Sequence, residues 1–275
     1  MRYQLDPILY INYSCGKLYD SDGFMQGIKD RTRIEKKEWP LIKELDTKIY
    51  QIILPPNINA KAFKQNINKA EKISKNTRKV LAPKTFRLMD YYYFSFFQKK
   101  LFSYSIFKSI QLILRAKGKS VKNSPILVYD AAKEINKDII IELSERCGYL
   151  ILLSNDMAKT RRIQEYSSRE FGISPIVTND FNYAFDEADF IITSENIELP
   201  KNKYKWYINN FFIPKNNEYC VNDVTFSVPW DIKLNMSTEL LGSILCQMPE
   251  KNIEASLKNN GVSLDKIMFN NTIIK

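Results

Sequence analysis

The sequence predicts an α/β protein of two lobes, a small N-terminal α/β domain and a larger parallel-sheet domain joined by a long helix. Three observations carry that expectation. Short apolar runs alternate with helical stretches from residue 8 to residue 208. One apolar face recurs at steps of three or four through Met89, Tyr93, Phe97, Leu101, Tyr104, Phe107, Ile110 and Leu114. Charge is also divided: residues 1–124 hold 25 Lys+Arg against 10 Asp+Glu, and residues 125–275 hold 16 against 21.

Each element has its own signal. Ile8-Leu9-Tyr10-Ile11 reads as a strand, 34–45 as a helix despite Pro40, and 49–54 as a strand stopped by Pro55-Pro56. Residues 60–75 place Phe63, Ile67, Ala70 and Ile73 on one helical face, and 79–82 is a strand before Pro83. The long aromatic helix runs from Met89 and ends at Gly118. Then come the strand 126–129, the helix 133–146, Gly148, the strand 149–153 and a helix over 159–171 closed by Gly172. Strands follow at 175–178, 188–194 and 206–208. The tail offers an extended run at 224–229, helices at 238–247 and 250–259, and a hairpin turning at Asn270-Asn271. The predicted domains are 1–88, a connecting helix 89–117, a sheet domain 118–235 and a C-terminal segment 236–275.

Composition narrows the chemistry. At 275 residues the chain suits two cores of ordinary size. It contains no histidine, which removes the commonest general base and metal ligand. Its four cysteines, at 15, 147, 220 and 246, form no C-x-x-C pair, so reduced thiols are expected and a zinc site is not. No apolar run is long enough to span a bilayer, and the first residues show no signal pattern, so a cytoplasmic location is expected.

The stretch 125–194 carries the sharpest motif. Its strand–helix–strand order is that of a dinucleotide-binding unit, yet Asp130, Ala132 and Ile135 stand where G-x-G-x-x-G is required. The layout resembles two-lobe enzymes of the shikimate dehydrogenase and dipicolinate synthase A-subunit type. The matching pieces are Ile52-Ile53-Leu54-Pro55, Leu112-Ile113-Leu114-Arg115-Ala116, Gly118-Lys119-Ser120-Val121-Lys122, Ile126-Leu127-Val128-Tyr129 and Ala188-Asp189-Phe190-Ile191-Ile192. The resemblance covers roughly residues 50–200. It implies a Rossmann-like fold and descent from nicotinamide-dependent enzymes, without implying that the cofactor still binds.

Asp130 puts a carboxylate where a pyrophosphate would sit, and Ile135 puts a branched side chain where helix and strand approach closely. The candidate crevice is Tyr129, Asp130 and Lys133, with Asn155, Asp156 and Arg161 after the second strand. An acidic residue there suits a ribose and an arginine suits a 2′-phosphate; both also suit the start of an ordinary helix. A second candidate is the basic patch Lys61, Lys64, Lys72, Lys75 and Arg78, fit for anions or simply for solvent.

Three functions follow as expectations. The first is a non-catalytic Rossmann-like protein with a binding, regulatory or assembly role and no cofactor. The second is an NAD(P)-dependent oxidoreductase with an atypical phosphate loop. The third is a nucleic-acid or anionic-surface binder acting through the basic lobe. Partners are open, with a protein partner or self-association through oppositely charged lobes as the options.

Overall fold

A computed structural model describes residues 5–38, 41–73, 79–232 and 234–274. Two compact units emerge: Met1–Gln98 with Phe226–Ser263, and Lys99–Thr225 with Leu264–Lys275. The units therefore divide after residues 98, 225 and 263, where the sequence reading puts boundaries at 88, 117 and 235.

The chain opens with β1 (Ile8–Tyr13), α1 (Phe24–Thr32), β2 (Glu35–Glu38), β3 (Ile49–Leu54), α2 (Ala60–Ile73) and β4 (Val80–Pro83). These strands form a sheet ordered β2-β3-β1-β4, with β1 parallel to both β3 and β4. The central strand is an unbroken apolar run, as a strand covered on both faces requires. Helix α2 buries Ala62, Phe63, Asn66, Ile67 and Ala70, the stripe its periodicity foretells.

The expected helix over 34–45 does not form among the described residues of that range, 34–38 and 41–45. Residues 35–38 instead make β2, antiparallel to β3, and Ile42 bridges Thr47 beyond it. Pro40 cannot continue a helix, and the open edge of β3 supplies hydrogen bonds that an isolated helical turn cannot match. Exposed Glu35, Lys36 and Lys37 make β2 a charged edge that discourages further pairing.

The long aromatic helix is also corrected. It is α3 (Arg87–Asp90), a single 3-10 turn over Tyr91–Tyr93, and then α4 (Phe96–Ala116). The break at Phe94-Ser95 is a reciprocal cap: the Ser95 Oγ accepts from the Gln98 amide at 3.3 Å, and the Gln98 side chain accepts from the Ser95 amide at 2.8 Å. Beyond it the apolar periodicity holds, with Phe97, Leu101, Phe107, Ile110 and Leu114 buried.

The second unit continues with β5 (Pro125–Tyr129), α5 (Glu134–Arg146), β6 (Tyr149–Leu153), α6 (Met157–Phe171) and β7 (Ile176–Thr178). Next are α7 (Phe181–Glu187), β8 (Phe190–Thr193), β9 (Tyr204–Tyr207) and β10 (Cys220–Val221). All six strands are parallel, in the order β10-β9-β8-β5-β6-β7. Counted from β5 as the first strand, this is the doubly wound 3-2-1-4-5-6 order of a Rossmann-like sheet. Gly148 turns α5 into β6 where nothing larger fits: a Cβ there would lie 2.0 Å from the Lys122 carbonyl oxygen. After β11 (Asp223–Ser227) and β12 (Met236–Ser237) come α8 (Thr238–Leu245), α9 (Ile253–Asn259), β13 (Ser263–Phe269) and β14 (Thr272–Ile273). Helix α8 packs on β4 and β1. The final hairpin turns through Asn270 and Asn271, both with positive φ.

Candidate functional site

In an open parallel sheet, ligands sit outside the carboxyl ends of the strands where the strand order reverses. Here that place lies beyond Tyr129, at the carboxyl ends of the adjacent strands β5 and β8. Asp130 follows directly, with φ of 56°, the left-handed conformation for which the motif's first glycine is normally used. Aspartate tolerates that region better than most residues, so the tight turn survives without glycine.

The loop amides are partly engaged within the protein. The Ala131 amide donates to the Leu153 carbonyl at 3.0 Å, and the Lys133 amide donates to the Asp130 carbonyl at 3.0 Å. Asn136, fully buried on the first turn of α5, donates from Nδ2 to the Asp130 carbonyl at 2.8 Å and to that of Tyr129 at 3.3 Å. The loop is pinned in one shape.

Charge fills the same place. The Lys133 ammonium lies 3.4 Å from Asp130 Oδ2 and contacts Glu195 Oε1 from the segment after β8. One cation faces two carboxylates, a net charge of −1 where a pyrophosphate would need positive potential. The Tyr129 ring packs on Phe181 and Phe185 at centroid distances of 5.7 and 6.1 Å. Burial, then the neighbouring Asp130 carboxylate, pushes its phenol pKa up, so it stays neutral. These residues do not fit the diphosphate of a dinucleotide.

Beyond β6, the strand beside β5, Asn155 and Asp156 are exposed, and Asp156 caps α6 by accepting from the Lys159 amide at 3.0 Å. Arg161 and Arg162 lie on the exposed surface of that helix. Tyr129, Asp130 and Lys133 thus lie together at the carboxyl end of β5, with Asn155 and Asp156 just after the adjoining strand and Arg161 on the helix that follows it. Sequence reasoning missed Glu195 and Asn136. Glu195 is reached only through strand order, because β8 pairs with β5 from a distance of sixty-odd residues.

On the basic lobe Lys61, Lys64 and Lys72 are exposed along α2, and Lys61 approaches Asp22 at 3.9 Å. Lys75 and Arg78 lie outside the described residues. An open cavity of about 570 Å³ in the first unit is lined by Asp6, Lys79, Tyr93, Gln98, Cys246 and Gln247, among others. Its amides serve the main chain: Gln98 donates to the Leu81 carbonyl and Gln247 accepts from the Asp6 amide.

The first unit also buries a charged group. Arg87 reaches Glu239 Oε1 at 3.3 Å, and Asp90 accepts from the Thr85 amide and hydroxyl at 2.7 and 2.6 Å. Burial raises the Asp90 carboxyl to about 7, against the pull of Thr85 and Arg87. Burial likewise pushes the Cys147 and Cys220 thiols up, to about 12 and about 11, so neither is a thiolate nucleophile at neutral pH. Among the described residues, no group of three or more His, Cys, Asp or Glu could hold a metal ion. Nor is any helix among them long and apolar enough to cross a membrane.

No family model matches the sequence, and no curated protein sequence matches it. Solved structures with similar architecture include ligand-free 5-ketofructose reductase of Gluconobacter sp. strain CHM43, at 9% identity over 92% of this chain and 98% of that one, TM-score 0.39. Shikimate 5-dehydrogenase from Listeria monocytogenes, solved with shikimate and NAD, matches at 8% identity over 92% and 96%, TM-score 0.36. Ornithine transcarbamoylase from Giardia lamblia matches at 8% over 92% and 86%, TM-score 0.38. The fold is Rossmann-like on its strand order; likenesses this distant carry no argument about activity.

Proposed function

We propose that this is a Rossmann-like protein with a non-catalytic role in binding, regulation or assembly, descended from two-lobe nicotinamide-dependent enzymes. The observation that carries the reading is the Asp130–Lys133–Glu195 cluster at the carboxyl end of β5. It sets two carboxylates at the diphosphate position and engages the one lysine beside them. Two loop amides, of Ala131 and Lys133, already have main-chain acceptors. The absence of histidine points the same way.

Thermal unfolding with and without NAD or NADP tests this. A cofactor at a hundred times its Kd would add about 2.7 kcal/mol, several degrees of melting temperature. With either cofactor at millimolar concentration, no shift is expected. A saturable rise of several degrees would overturn the proposal.

One observation favours the alternative of an oxidoreductase with an atypical phosphate loop. Asp130 keeps the left-handed turn of the intact motif, so the backbone path for a phosphate survives. In that case Lys133, Arg161 and Arg162 would hold the phosphates, and reversing all three charges would abolish the thermal shift.

A further inference from the structure

Helix α1 is turned inside out for a surface helix. Its inward side is polar: Asp30 is fully buried and accepts from the Tyr19 hydroxyl at 2.5 Å, from Gln26 Nε2 at 2.7 Å and from Asn57 Nδ2 at 2.7 Å. Its outward side is apolar, with Phe24 82%, Met25 66% and Ile28 42% exposed. Phe24 and Ile28 are four residues apart and Met25 and Ile28 three, so all three share one face. A folded chain gains nothing from this inversion unless something covers that face.

The surroundings say what covers it. Lys29, Arg31 and Arg33 are exposed at the end of the helix and just beyond it, and Lys61 and Lys64 are exposed on α2 alongside. Arg31 of α1 donates to Gln65 of α2 at 3.2 Å, and Lys61 of α2 lies 3.9 Å from Asp22 in the segment before α1. Asp20 and Asp22 are exposed just before the helix; along it and just beyond it the charges beside the protruding apolar side chains are lysine and arginine, as in a helix lying in an anionic lipid interface. The three side chains offer on the order of 350 Å² of surface. That is under half of the ~800 Å² per partner in a stable protein interface, whereas insertion among headgroups needs no matching groove.

We propose that α1 docks the protein on anionic membrane surfaces, with Phe24, Met25 and Ile28 entering the boundary between headgroups and acyl chains. Lys29, Arg31, Arg33, Lys61 and Lys64 meet the lipid phosphates and carboxylates. The proposal is independent of whether the second unit binds a nucleotide.

Co-sedimentation of the full chain with vesicles tests it. Binding is expected with about 30% phosphatidylserine in phosphatidylcholine, absent with phosphatidylcholine alone, and weakened as salt shortens the screening length. The triple variant Phe24→Ser, Met25→Ser, Ile28→Ser should keep its melting temperature and lose binding at least tenfold. In a Phe24→Trp variant, brominated acyl chains should quench fluorescence that they leave untouched in the unsubstituted protein. No binding to anionic vesicles, or unchanged binding by the triple serine variant, overturns the proposal. So does a triple serine variant that turns a dimer into a monomer while the parent ignores vesicles, which would assign the face to a second copy of the chain.

Discussion

Arg87, paired with Glu239 near the buried Asp90 carboxyl, and Lys133, beside Asp130 and Glu195, each set one cation near two acidic groups. They differ in surroundings. The first three side chains are 2% exposed or less, whereas Lys133, Asp130 and Glu195 keep between 29% and 46% of their side-chain surface. Water screens the second group, so its members are nearly independent of one another and replaceable. In the first group little but protein solvates the charges, and each depends on the others. Even there satisfaction is incomplete, for Glu239 Oε2 has no hydrogen-bond partner among the described residues. Similar ions thus form a buried fixture in one unit and a hydrated cluster at the carboxyl end of the parallel sheet in the other.

The sharpest way to break this contrast is Arg87→Leu. It strands the buried Glu239 without its cation and should cost about 3–5 kcal/mol, read as a shift of the urea midpoint at constant slope. A loss below about 1 kcal/mol would put the two clusters on an equal footing.

A smaller effect concerns pH. Folding raises Asp90 from the usual 3.8 to about 7, so the folded protein holds a proton that the unfolded chain has released. Asp90 therefore contributes stability that is full below about pH 4, is lost as pH rises through 7 and is flat beyond. In melting scans from pH 5 to 8, the difference between the parent and Asp90→Asn should shrink towards a plateau above pH 7. A constant difference would show that Asp90 does not titrate in this range.

The smallest change is expected at the crevice. Lys133→Ala should alter stability by less than about 1 kcal/mol, because its partners remain hydrated. A melting-temperature loss as large as that of Arg87→Leu would make the crevice cluster structural and remove the basis for calling it a ligand-site occupant.

Much of the architecture was legible in advance, for identifiable reasons. The strands from β5 to β8 are short, apolar and bounded by helix stops such as Gly148 and Gly172. Tyr129, Asp130 and Lys133 are candidates in the sequence because they end or follow the first of these strands. Other signals were present and went unread. Ser95-x-x-Gln98 is a capping pattern that marks a helix start inside the aromatic run, and Asp180 caps α7 by accepting from the Tyr183 amide. The strand β2 had no readable signal at all: Glu35-Lys36-Lys37-Glu38 has no strand composition and pairs because β3 offers it an edge.

The linear chain settled the alternation of strands and helices, the aromatic packing face and the residues other than glycine at positions 130, 132 and 135, since each is written in local periodicity or residue type. Folding alone brought Glu195 onto Lys133, Glu239 onto Arg87 and Asp30 beneath an apolar α1 face. Those partners lie tens to more than a hundred residues apart or point inward against the usual pattern, so local spacing cannot encode them. Strand order and burial do.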